Sequence, residues 1–103
     1  MRTIKGFNNL LTEVKTLPDV GWLYVDVDFS LDSKEDILEK NYYIAENRDE
    51  SFDMEENQGI KTFLEAPTFS DIIENKFAHH PSATKEELIE AVIYYLEEDD
   101  FLD

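Results

Sequence analysis

From Gly21 the apolar residues fall on every second position, with Leu23, Val25, Val27 and Phe29 alternating with Trp22, Tyr24, Asp26 and Asp28. A period of two belongs to a strand, whose successive side chains point to opposite faces. The alternation predicts a half-buried strand, the first set on the core and the second facing outward. Two further segments suit strands: Tyr42 to Glu46, whose residues fit a pleated surface, and Ile60 to Glu65, which ends at Ala66 and Pro67. The connections between these strands are too short for crossover helices, so antiparallel pairing is expected.

The period differs on either side of this region. Ile4, Phe7, Leu10, Leu11, Val14 and Leu17 recur at helical spacing and predict a helix ended by Pro18, with Gly6 weakening its first turn. Asp32 to Lys40 reads as a turn or one short helix anchored by Ile37 and Leu38. Asn47 to Gly59 has only Phe52 and Met54 as large apolar residues among Asp49, Glu50, Asp53, Glu55 and Glu56, and reads as an exposed, mobile loop. Thr68 and Asp71 approximate a capping box for a helix with Phe69, Ile72, Ile73 and Phe77 on one face, closed by His79, His80 and Pro81. Thr84 and Glu87 form a better box, opening a helix that buries Leu88, Ala91, Val92, Tyr95 and Leu96 and ends over Glu97 to Asp100. These readings predict a single α+β domain over 1–103: a small antiparallel sheet of about three strands, with an N-terminal helix and two C-terminal helices packed on it.

Charge narrows the function. The chain has 25 Asp and Glu against 9 Lys and Arg, a formal net charge of -16. Nucleic acid and anionic membrane are repelled by such a surface, because phosphate binding runs on clustered Lys and Arg. With 42% hydrophobic and 13% aromatic residues the chain can still offset its conformational entropy, unlike a disordered acidic segment. The lack of cysteine excludes a disulfide framework and thiolate metal sites, which points to a reducing, cytoplasmic compartment. Met1 to Leu17 is interrupted by Lys5, Asn8, Asn9, Glu13 and Lys15, so neither a signal-peptide core nor a membrane span is expected there.

Catalytic patterns are missing. Gly6, Gly21 and Gly59 are too scattered for a phosphate loop, and His79 and His80, being adjacent, point different ways on a helix and cannot grip one metal. Asp28, Ser30, Asp32, Asp36 and Glu39 reproduce ligand positions of a calcium loop, but Ser33 stands where the sharp turn needs glycine. With so many acids, paired carboxylates arise by chance and carry no signal. No cofactor, metal or catalytic residue is therefore assigned.

The acidic stretches, Asp26 to Glu39, Glu46 to Glu56 and Glu97 to Asp103, exceed what solubility requires and repel one another. They suit a surface that attracts and orients a cationic partner. The candidate contact residues are Trp22, Tyr24, Asp26 and Asp28 on the outward row, with Asp49, Glu50, Asp53, Glu55 and Glu56 in the acidic segment. The outward row fits a second arrangement equally, in which a helix covers that face and both rings are core.

In its last third the chain carries Asp71-Ile72-Ile73-Glu74-Asn75, Ala83-Thr84-Lys85-Glu86-Glu87-Leu88-Ile89-Glu90-Ala91 and Tyr94-Tyr95-Leu96-Glu97-Glu98-Asp99-Asp100-Phe101. Together with Leu17-Pro18 and Trp22, these resemble small acidic bacterial domains that serve as immunity proteins in contact-dependent growth inhibition systems. The resemblance implies a cytoplasmic protein that binds and blocks a cognate toxin domain, often a nuclease with a basic surface. It transfers no binding residue. The alternatives are an acidic adaptor or nucleic-acid mimic that engages a basic host protein, and a carboxylate-based or calcium-dependent enzyme.

Overall fold

The computed structural model describes residues 1–102. Its strands are β1 (Arg2–Lys5), β2 (Trp22–Asp26), β3 (Asn41–Ile44) and β4 (Ile60–Glu65), and its helices are α1 (Gly6–Thr12), α2 (Lys34–Glu39), α3 (Arg48–Glu56), α4 (Ala66–His79) and α5 (Lys85–Glu98). A short 3-10 turn, Val14–Thr16, follows α1. The strands form one sheet in the order β1-β3-β2-β4, every pair antiparallel. The chain is thus α+β with two packed C-terminal helices, as its periodicities predict.

One strand is additional. Ile4 satisfies the helical spacing to Phe7, yet it lies in β1 opposite Tyr42, and the helix starts only after it. Gly6 makes the change of direction at φ +80°, a conformation costly for other residues. A Cβ there would also sit 3.2 Å from the Leu38 carbonyl oxygen.

A single apolar cluster joins the sheet to the helices. Leu23, Val25, Tyr42 and Phe63 from the strands meet Phe7 and Leu10 of α1, Ile37 of α2, Phe69, Ile72 and Ile73 of α4, and Leu88 and Val92 of α5. Phe29, Tyr42 and Phe63 interlock edge to face, with centroids 5.3 to 5.8 Å apart. The radius of gyration, 13.1 Å, is that of one compact unit of this length, about 13 Å.

Several expectations are corrected. β2 ends at Asp26, so Val27 is 55% exposed rather than inward. There the chain turns, Phe29 N–H donating to the Asp26 carbonyl at 2.9 Å, and this returns Phe29 to the core. The acidic segment after Asn47 is the helix α3, not a loop. Asn47 caps it by accepting from the Glu50 N–H at 2.9 Å, and Met54 is its buried anchor. α4 begins at Ala66 rather than after Thr68, with Pro67 in the first turn, where its missing N–H leaves no bond unmade. Phe77 is exposed, and the buried face of α4 continues through the aliphatic stem of Lys76 instead.

α5 follows its reading closely. Thr84 and Glu87 cap each other's backbone N–H groups, and Leu88, Ala91 and Val92 are buried, while Tyr95 and Leu96 are half-buried. Among the described residues no helix is long and apolar enough to cross a membrane. Asp103, the end of the last acidic stretch, lies outside the described residues.

Candidate partner-binding surface

The site begins with the two faces of β2. Leu23 and Val25 point into the core cluster, so alternation turns Trp22, Tyr24 and Asp26 to the opposite face. Tyr24 is nevertheless only 2% exposed. It stands opposite Tyr43 on β3 and Thr62 on β4, at the floor of a groove whose far wall is the start of α3. Tyr24 and Met54 are both buried outside the main cluster, as α3 packs beside β4. Tyr24 is therefore core-like, the second of the two arrangements its position allows, whereas Trp22 is 39% exposed.

The groove encloses about 380 Å³. Pro18, Val20 and Trp22 form one wall, and Glu46, Arg48 and Ser51 the other. A bulge in the β2–β4 ladder places Glu65 directly opposite Trp22, while Tyr24 opposes Thr62. The exposed Glu65 is thus the cross-strand neighbour of Trp22, outside the residues that line the groove itself. Ala66 N–H donates to the Gly21 carbonyl at 2.9 Å, tying the Trp22 wall to the start of α4. Phe52, one helical turn after Arg48 on α3, is 60% exposed.

The remaining candidate acids do not gather into one patch. Asp26 and Asp28 lie at or beyond the other end of β2, about 13 Å along the strand from Trp22. Asp26 accepts the Tyr43 hydroxyl at 2.9 Å. Partial burial, and then this bond, holds the Tyr43 hydroxyl above the usual phenol range. Asp28 is 3.6 Å from the Lys40 ammonium, which is also 3.6 Å from Asp36.

Asp28, Asp32 and Asp36 of the calcium-like pattern make contacts within the chain. Asp36 accepts the Ser30 N–H at 2.8 Å, Asp32 accepts the Ser30 hydroxyl at 2.7 Å, and Ser33 caps α2. The segment is a capped helix start with a lysine between two of its acids. Among the described residues no group of three or more His, Cys, Asp or Glu side chains is placed to hold a metal ion.

On α3, Glu50 pairs with the Met1 ammonium and accepts the Glu46 N–H at 2.9 Å. These bonds, the ammonium first, hold its carboxyl below the usual range. Asp49, Asp53, Glu55 and Glu56 are exposed. Glu97, Glu98, Asp99 and Asp100 are exposed around the close of α5, beside the Tyr95–Phe101 ring pair at 5.4 Å. His79 and His80 are exposed at the end of α4.

α3 and α5 share one feature that no periodicity marks: neither has a basic residue in its last turn, and their last residues are Glu56 and Glu98, whereas α2 ends on Glu39 with Lys40 as its C-cap, 3.6 Å from Asp36. A helix C-terminus already carries partial negative charge, so acids there work against stability. Pro18, Val20, Arg48 and Ser51 also line the groove, although no periodicity or motif marks them. Asn47 and Glu50 held the signal for α3, since they repeat the spacing of Thr84 and Glu87.

A family model described as a domain of unknown function (DUF7716) matches residues 6–103. No curated protein and no solved structure gives a significant match.

Proposed function

The chain belongs to the DUF7716 family, and from its own surface we propose that it is a binding protein without chemistry of its own: an immunity protein that neutralises a cognate toxin domain by stoichiometric complex formation in the cytoplasm. The partner is a basic protein domain, a nuclease by the resemblance of the last third of the chain.

The observation that carries this reading is the placement of acids at the negative poles of α3 and α5 with no basic residue in the last turn of either helix. Solubility needs charge but does not need it where the helix dipole opposes it. Concentrated at these poles, the charge adds to the backbone field, which speeds encounter with a cationic surface and orients it. A nuclease gathers Lys and Arg to track phosphates, so its surface has the complementary sign.

The decisive experiment is co-expression with each candidate toxin domain encoded in the genes adjoining this one. Rescue of growth, together with a one-to-one complex whose affinity falls steeply with salt, is expected. Absence of rescue from any neighbouring toxin, with the same host protein recovered from unrelated cells, would replace the immunity reading with that of an acidic adaptor.

A further inference from the structure

The groove beside Trp22 differs from the acidic regions because it is mainly aromatic and apolar, with Glu46 and Arg48 as its charged lining and Glu65 at its edge as the cross-strand neighbour of Trp22. Trp22 is partly exposed, with Glu65 opposed to it across the ladder. Val20, on the same wall, is 80% exposed, and Glu46 lines the other side. Exposed apolar groups with carboxylates around them suit a side chain that is itself greasy along its stem, planar and cationic at its tip. Arginine has that form: its guanidinium stacks on an indole and donates to carboxylates in one plane.

We propose that this groove receives an arginine-bearing extended segment of a basic protein partner, one guanidinium lying on Trp22 and bonding to Glu65, with Glu46 supplying further negative field. The assignment rests on the basic-partner reading above and goes beyond it by choosing one site among several acidic ones. Charge complementarity selects the occupant. A second copy of this chain would bring its own charge of -16 to the contact. Arg48, exposed on the α3 wall, is the only cation lining the groove among the described residues, and it repels the incoming guanidinium.

The test uses hexa-arginine and hexa-lysine peptides at low salt, read by calorimetry and by backbone amide shifts, with the emission of the single tryptophan as a third signal. Hexa-arginine is expected to bind more tightly than hexa-lysine, to change Trp22 emission saturably, and to shift the amides of Gly21, Trp22, Glu46 and Glu65. Trp22→Ala and Glu65→Gln should each weaken it by about threefold or more. Arg48→Ala should tighten it by about twofold. Both Trp22 and Glu65 are exposed, so neither change threatens folding, and thermal melts verify this.

Equal affinity for the two peptides, or unchanged affinity in Trp22→Ala with shifts confined to Glu97 to Phe101, would overturn the groove and leave the acidic-surface reading standing. No binding of either peptide would remove both.

Discussion

The Tyr42 hydroxyl donates to the Ile37 carbonyl at 2.6 Å, inside the core and across the turn between α2 and β3. This carbonyl belongs to the last turn of a helix only six residues long, where backbone acceptors lack helical partners. Burial holds the phenol well above its ordinary range, so it remains a neutral donor. Tyr42→Phe keeps the ring packing with Phe29 and Phe63 but leaves the carbonyl without this donor. Urea unfolding should show a loss of about 1–3 kcal/mol.

The two ends of α5 give opposite expectations. Thr84→Ala removes the capping box and should cost about 1 kcal/mol. Asp99 stands at φ 55° in the left-handed region and adds negative charge to the C-terminal pole. Asp99→Gly should therefore stabilise the fold, by about 0.5–1 kcal/mol, with a matching rise in Tm. A loss of stability in Asp99→Gly would contradict the claim that this end opposes folding.

Glu50 sets a pH dependence. Its carboxyl is held below the usual carboxylate range by the Met1 ammonium and the Glu46 N–H, so any stability it contributes is complete above the ordinary glutamate range and is lost as pH falls through the lowered value. Glu50→Gln should therefore differ most from the parent at neutral pH and converge with it in strong acid. Denaturant midpoints measured across that range provide the check.

Salt provides a broader test. Unfolding separates the acids that crowd the helix ends, so screening should favour the folded chain. Raising sodium chloride from about 0.05 M to about 1 M should increase Tm. The same change should weaken a complex with a basic partner. Opposite responses of folding and binding would not follow from hydrophobic burial alone, since salting-out strengthens both.

The helix and strand types were legible where one period prevails, as in the alternation of β2 and the i, i+3, i+4 pattern of α5. They were less legible where one residue fits two patterns. Ile4 has helical spacing to Phe7 yet pairs with Tyr42, and only the Gly6 turn separates the two elements. α3 was hidden because Met54 alone is buried on it, too little for a periodic stripe, although Asn47 carried the cap. Alternation put Trp22 and Tyr24 on one face but could not say that one ring would be buried and the other left partly open. Groove walls assembled from Pro18 to Trp22 and from Glu46 to Ser51 are separated in sequence, and no local pattern brings them together.

The Ala66–Gly21 hydrogen bond has a further consequence. Gly21, at φ +102°, shapes the approach to Trp22, and the bond fastens that turn to the first residue of a helix whose inner face is buried. The tryptophan-bearing wall is thus made rigid by the act of folding, before any guest arrives. A ligand meeting it need not spend binding energy ordering that stretch of backbone, so association there should proceed with a small entropic penalty and little rearrangement.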